Sequence, residues 1–350
     1  MGILTTSNNN IYENNIFART AINTDKIKSI NGALALRPRI ENVVDEICKL
    51  KYKNIYFMGI GGTYASSMQV VTYMEGKSEL PVFYSNAAEY NTNGNKKIGE
   101  GTIIIFSSVS GTTYEMVKAI EKVKSKGCKV FAFIDKENTI LGNMADWTIV
   151  YPMNEQLKFF MVANRLMYNN NEFPEYDDYN KNMEEHLANS LYEVEKAADS
   201  FGKAFAKEHC NDTMHYFVGA GVQWGATYSY AMCYWEEQLW IKTKSIHSSE
   251  FFHGMLEIVD KDVAVTLFIC EDEQRDLGLR VANFLPRICG NYTIIDTNDY
   301  KEQLSNIKPE YRGSISHLVI RAITSRIDAY MEIECRHPME IRRYYNSLKY

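Results

Sequence analysis

The apolar positions of this chain gather into short unbroken runs, and several of these runs are followed by a turn and then a helical pattern. Residues 54–58 (NIYFM) form a β-branched and aromatic run, followed at once by Gly59-Ile60-Gly61-Gly62-Thr63 and by helical spacing from Ala65 to Tyr73. Residues 81–84 read as a short strand, and residues 102–106 (TIIIF) as a continuously apolar one. After Ser107-Ser108-Val109-Ser110-Gly111-Thr112-Thr113, an amphipathic helix is predicted over 114–126, with Val117, Ile120 and Val123 on one face. Further strands are predicted over 128–133 and 147–151. A strand that is apolar throughout needs cover on both faces, and its alternation with helices predicts a parallel sheet.

The pattern then repeats. Residues 155–208 read as helix, interrupted over 168–179 by Asn and acidic residues that suit a connecting loop. A strand at 214–218 (MHYFV) is followed by Gly219-Ala220-Gly221 and a long helix to about Trp240; strands at 263–269 and 292–295 flank a helix over 273–288. Strand, glycine turn and helix thus recur about 160 residues apart, from Gly59 to Gly219. The expectation is an α/β chain using one module twice, with the junction near 170–190: an N-terminal segment 1–30, a first domain 31–170 and a second domain 171–350.

Composition narrows the partners. The 350 residues are 45% hydrophobic and 23% charged, which is globular usage and leaves room for two domains. The net charge of −6 argues against a general nucleic-acid or anionic-membrane binder, which needs a basic surface. It leaves open a local anion site built from backbone N–H groups and hydroxyls. Seven scattered cysteines without a C-x-x-C pair read as reduced thiols, not as a disulfide frame or a zinc site. The start MGILTTSNNN lacks a basic and apolar leader, and no apolar run reaches about 18 residues. A cytoplasmic protein without metal or cofactor is expected.

Two stretches carry chemistry. Ser107, Ser108, Ser110, Thr112 and Thr113 lie between a strand and a helix start, with Gly111 among them. Helix N–H groups, the positive dipole end and rotatable hydroxyls suit a phosphomonoester. The stretch lacks the Gly-Lys-Ser/Thr ending of a nucleotide-binding P-loop, and Gly59–Gly62 lacks the full G-x-G-x-x-G spacing. A plain Ser/Thr cap explains the same residues. The corresponding loop of the second half, Cys270-Glu271-Asp272-Glu273, is acidic and unsuited to phosphate. Glu236 and Glu237 close the long helix, and His253 follows sixteen residues after Glu237. A Glu and a His beside a sugar phosphate suit proton transfer at carbon and ring opening, while a solvated Glu pair and a structural His fit the same spacing.

Residues 107–127, SSVSGTTYEMVKAIEKVKSKG, resemble the sugar isomerase (SIS) domain signature S-x-S-G-x-T with its amphipathic helix, and residues 59–65 resemble that domain's first loop. Two such domains in tandem resemble the isomerase half of glucosamine-6-phosphate synthase. The stretch 250–260 (EFFHGMLEIVD) and the ending 337–350 are similar to the fructosamine-6-phosphate deglycases, the fructoselysine-6-phosphate enzyme among them. The resemblance implies two SIS domains, each a flavodoxin-like parallel sheet flanked by helices. It implies a phosphate- and substrate-binding set of Gly61, Thr63, Ser108, Ser110, Thr112, Thr113 and Glu250, with Glu237 and His253 as catalytic residues. Val109 stands where the synthase has glutamine, Tyr234 where it has lysine, and Met255 where proline is usual. Lys349 corresponds to a lysine near the synthase's C-terminus, which makes Lys349 and Tyr234 further possible substrate contacts.

The implied reaction cleaves a 6-phosphorylated fructosamine, a ketose with an amine on C1, to glucose 6-phosphate and a free amine. His253 opens the ring, Glu237 moves a proton from C1 to C2 through an enaminol, and water hydrolyses the resulting imine. By the same analogy, two copies form a homodimer and share their sites. Another phosphosugar isomerase, an amino-sugar phosphate deaminase and a non-catalytic phosphosugar sensor are the competing readings. Tyr228, Tyr230, Tyr234, Trp235 and Trp240 read as core and interface packing, and Arg342 and Arg343 as solvated or interface residues that can also clamp a substrate carboxylate or phosphate.

Overall fold

In the computed structural model, which describes residues 19–345 and 348, the apolar runs assemble into two parallel sheets. Helices α1 (Asp25–Leu34) and α2 (Arg37–Lys49) precede the first. That sheet has the order β2-β1-β3-β4-β5 and consists of β1 (Asn54–Gly59), β2 (Val82–Asn86), β3 (Thr102–Ser108), β4 (Lys129–Ile134) and β5 (Trp147–Val150). Its crossovers carry α3 (Gly62–Glu75), α4 (Ala87–Asn93), α5 (Tyr114–Ser125) and α6 (Ile140–Met144). Every residue of β3 is buried, as a central strand covered on both faces requires.

Helices α7 (Glu155–Asn169), α8 (Tyr176–Ala197) and α9 (Asp199–His209) lead to the second sheet. It has the order β7-β6-β8-β9, from β6 (Met214–Gly219), β7 (Lys242–His247), β8 (Ala264–Ile269) and β9 (Tyr292–Asp296). Helix α10 (Trp224–Ser229) follows β6, α11 (Arg275–Phe284) follows β8, and α12 (Pro309–Glu334) closes the fold.

The two sheets share a core. One continuous cluster runs from Phe57, Ile105 and Phe133 of the first sheet, through Phe159 of α7 and Ile320 and Ile323 of α12, to Phe217 and Phe268 of the second. A buried guanidinium ties α12 to the connecting helices: Arg326 lies 2.6 Å from Asp199 Oδ1 and 3.5 Å from Glu195 Oε1. At the α9–β6 turn, His209 Nδ1 and His215 Nδ1 both lie 2.8 Å from one oxygen, Asp212 Oδ2, and His215 Nε2 lies 2.8 Å from Thr266 Oγ1. Burial pushes the His215 imidazole down to about 4.

Two elements differ from the pattern reading. The helix predicted to run unbroken to Trp240 is a 3-10 turn, then α10, then a wider π-helical stretch over Tyr230–Leu239. This stretch carries Trp235 into the core with 0% exposure, and it stops where Trp240 takes φ 60°. Strand β7 has no apolar run to mark it, because its exposed Lys242 and Lys244 interrupt the pattern, as suits a sheet edge. In both sheets the chain leaves the first strand to one side and returns on the other. Crevices therefore open at the carboxyl ends of β1 and β3, and of β6 and β8, the places where doubly wound sheets bind ligands.

Candidate functional site

In the first crevice, Ser107 and Ser108 end β3 and are buried, whereas Val109, Ser110 and Thr112 stand exposed. Gly111 turns the chain at φ +67°, and a Cβ there would collide with Thr139. Ser108 Oγ accepts the Gly111 N–H at 3.0 Å and fixes the turn. Helix α5 then begins without a side-chain cap: its N-cap residue Thr113 makes no capping hydrogen bond. Ser110 Oγ accepts the Thr112 N–H at 3.2 Å and lies 3.4 Å from Thr113 Oγ1. Two hydroxyls and the open N–H groups of a helix start thus converge at an exposed site that can accept an anion.

The loop after β1 is the opposite wall. Thr63 Oγ1 accepts the Ile60 N–H at 3.1 Å and donates to the Ile60 carbonyl at 3.0 Å, so its hydroxyl shapes the turn that Gly61 enters at φ +59°. The adjoining Gly62 faces the second half of the chain: a Cβ there would stand 3.8 Å from Cys233 Sγ and from Ser229 Oγ. The first crevice therefore abuts the helical stretch that carries Glu237. Gln69 Nε2, donating to the Val222 carbonyl at 2.9 Å, holds the two together.

A residue that the sequence reading passed over lies behind the hydroxyl loop. Glu155 opens α7, and burial raises its pKa while the hydroxyls of Ser66 and Ser107 oppose that shift. Beside it, fully buried Lys158 donates to the Tyr151 carbonyl at 2.7 Å and stands 3.8 Å from Asp135 Oδ1. The signal for Glu155 was its place in the first turn of a helix that follows a strand end, where a carboxylate meets helix N–H groups.

The second crevice is filled from within. Asp272 Oδ2 accepts the Val222 N–H at 2.7 Å, Asp272 Oδ1 accepts the Gln274 N–H at 3.1 Å, and Gln274 Oε1 accepts the Gly221 N–H at 3.1 Å. Gly221 has φ +58°, and a Cβ there would run into the Asp272 carboxylate. The acidic loop does more than repel an anion, because its own carboxylate occupies the N–H groups that would bind one.

The two adjacent glutamates have different partners. Glu236 Oε1 accepts the Thr243 hydroxyl at 2.9 Å and is tied to β7. Glu237 Oε1 accepts from Arg342 Nε at 2.8 Å. The segment bearing Arg342 is held at Trp240, where the His337 ring packs at 4.2 Å and the Arg343 guanidinium lies over the indole at 3.9 Å. Tyr234 lies under the Arg321 guanidinium at 4.4 Å, and Arg321 in turn pairs with Asp328 at 2.6 Å. Glu250 ends the short 3-10 turn Ser248–Glu250 after β7, His253 lies in the turn before a second one, Gly254–Ile258, and both are exposed. Among the described residues no hydrogen bond or ion pair joins His253 to Glu237 within one chain. Lys349 lies outside the described residues.

Residues 50–167 match the SIS domain family. Fructosamine deglycase FrlB of Bacillus subtilis (strain 168) is 28% identical over 313 residues, spanning 85% of this chain and 92% of that protein. Fructoselysine 6-phosphate deglycase of Escherichia coli (strain K12) is 23% identical over 316 residues, spanning 89% and 91%. Among solved structures, a candidate phosphosugar isomerase from Bacillus subtilis superposes with a TM-score of 0.83 at 23% identity, covering 91% of this chain and 99% of that one. This last likeness is one of fold: two parallel-sheet α/β domains flanked by helices.

Proposed function

We propose that this chain, whose residues 50–167 match the SIS domain family, cleaves a 6-phosphorylated fructosamine to glucose 6-phosphate and a free amine. The observation that carries the reading is the asymmetry of the two crevices. The first presents Ser110, Thr113 and an uncapped helix start against the stretch bearing Glu237, and the second is closed by Asp272. A phosphate seated on α5 fixes the far end of the sugar and sets its C1–C2 edge against a carboxylate. Glu237 removes the C1 proton and returns a proton at C2; the enaminol becomes a C1 imine, and water releases the amine. Each step is a proton transfer or a hydrolysis, so the chemistry runs without redox change.

His253 is exposed and has no hydrogen bond or ion pair to Glu237 among the described residues, which suits a site shared between two copies, with His253 of one opening the ring held by the other. Val109 and Tyr114, 62% and 64% exposed beside the hydroxyl loop, give such a homodimer an apolar rim. No helix among the described residues is long and apolar enough to cross a membrane, and a cytoplasmic setting suits a phosphorylated substrate.

The test incubates pure protein with the 6-phosphates of fructoselysine and fructosylglycine, and separately with fructose 6-phosphate plus ammonia. Glucose 6-phosphate from the first pair is the expected result. Glucosamine 6-phosphate from the second, with no release from the first, would replace this reading by an amino-sugar isomerase.

A further inference from the structure

Resting on the deglycase reading, we infer that Arg342 is a receptor for a carboxylate borne by the amine half of the substrate, and that engaging this carboxylate frees Glu237 to act as the base. Glu237 Oε1 accepts the Arg342 Nε–H at 2.8 Å. That bond holds one of the two carboxylate oxygens against the guanidinium, so exchanging the partner leaves both oxygens to the substrate. The guanidinium is oriented for the exchange. Its Nη1 donates to the carbonyls of Met339 and Ile341 at 2.5 and 3.0 Å, which fixes the plane of the fork through its own segment. The Nε–Nη2 edge is left to face Glu237, and that edge is the one that grips a carboxylate with two parallel hydrogen bonds.

The pair is reachable, with side-chain exposures of 22% for Arg342 and 27% for Glu237. It is also anchored, because His337 and Arg343 on either side of Arg342 both pack on Trp240. The neighbouring cation does not compete for the role: Arg321 has its own buried partner in Asp328 at 2.6 Å and lies against Tyr234.

Substrate geometry supplies the length. Glu237 must reach C1, and Arg342 touches Glu237. In a fructosamine made from an α-amino group, the carboxylate carbon is three bonds from C1. In one made from the ε-amino group of lysine it is seven bonds away. An arginine in contact with the base therefore reads the α-linked class. The exchange keeps charge balanced, since the guanidinium gives up one carboxylate for another and the released carboxylate is neutralised by the proton it takes.

Fructosylglycine 6-phosphate and fructosylmethylamine 6-phosphate differ only by the carboxylate, and glucose 6-phosphate release from each reads the proposal. For wild type, kcat/KM is expected to favour the glycine compound by roughly 10- to 100-fold, the scale of a charge-assisted pair. Arg342→Ala, which removes the carboxylate contact and frees Glu237 for both compounds alike, is expected to bring that ratio close to one, and Arg342→Lys to restore part of it. Equal wild-type rates on the two compounds, or an Arg342→Ala loss that is the same for both, would overturn the carboxylate role while leaving the deglycase reading in place. Absence of release from every fructosamine 6-phosphate, with the protein folded, would remove both.

Discussion

Glu236 and Glu237 are neighbours in sequence, yet the fold separates their tasks. Glu236 is spent on Thr243 at the edge of β7, and Glu237 faces Arg342 beside the first crevice. Glu237→Gln is therefore expected to lower kcat by roughly 10²- to 10⁴-fold with an unchanged melting temperature, and Glu236→Gln to lower it far less. Steady-state release of glucose 6-phosphate beside a thermal melt checks both. At the proposed anion seat, Ser110→Ala combined with Thr113→Val removes the two hydroxyls that lie 3.4 Å apart. The pair is expected to raise KM for phosphorylated substrate by roughly tenfold, at about 0.5–1.5 kcal/mol for each hydrogen bond lost. Unchanged KM would move the phosphate elsewhere. The hydroxyls could be read in advance because they follow an unbroken apolar strand, which fixes them at a strand end. The inward commitment of Thr63 could not, because its partner is a backbone group whose position depends on the turn. Nor could the pairing of Glu237 with Arg342, which joins groups 105 positions apart.

Individual elements respond to pH through the turn between α9 and β6. His215 is buried, and its pKa is depressed from 6.5 to about 4 chiefly by desolvation, with Asp212 opposing the shift. Its folded form is the neutral one, so the stability it contributes is complete above the unfolded value and is lost as pH falls from about 6.5 toward 4. The linkage amounts to about 3 kcal/mol from this group. Asp212, held low by its hydrogen bonds to His209 and His215, carries the same sign further into acid. Denaturant unfolding from pH 7 to pH 4 should show this decline, and a flat profile would show that the turn opens before the histidine titrates. Periodicity legibly marked the central strands, since an unbroken run such as TIIIF has few alternatives once turns bound it. It gave no hint of the π-helical stretch at Tyr230–Leu239, because the aromatic residues there satisfy either helical period until the core selects one that buries Trp235.

The doubled architecture was visible in the recurrence of strand, glycine turn and helix. Its union was not. The core common to both sheets, and the buried Arg326 that joins α12 to α8 and α9, depend on contacts between distant segments. If two copies share each site, mixing inactive Glu237→Gln and inactive His253→Ala proteins should restore activity as subunits exchange, up to about one quarter of wild type when half the sites of a mixed dimer are intact. No recovery after exchange proven by mass spectrometry would confine each site to one chain. The Asp272 carboxylate, lodged among the N–H groups of the second crevice, is in effect a ligand tethered to its receptor. Its local concentration is set by the chain and never falls. The second crevice is thus permanently filled, and on the proposed function only the first is left to answer to the concentration of a phosphosugar. Clipping the tether, as in Asp272→Gly, should turn a fixed structural group into a vacancy that formate or acetate refills, so that the variant's melting temperature climbs with added carboxylate while that of the wild type stays level.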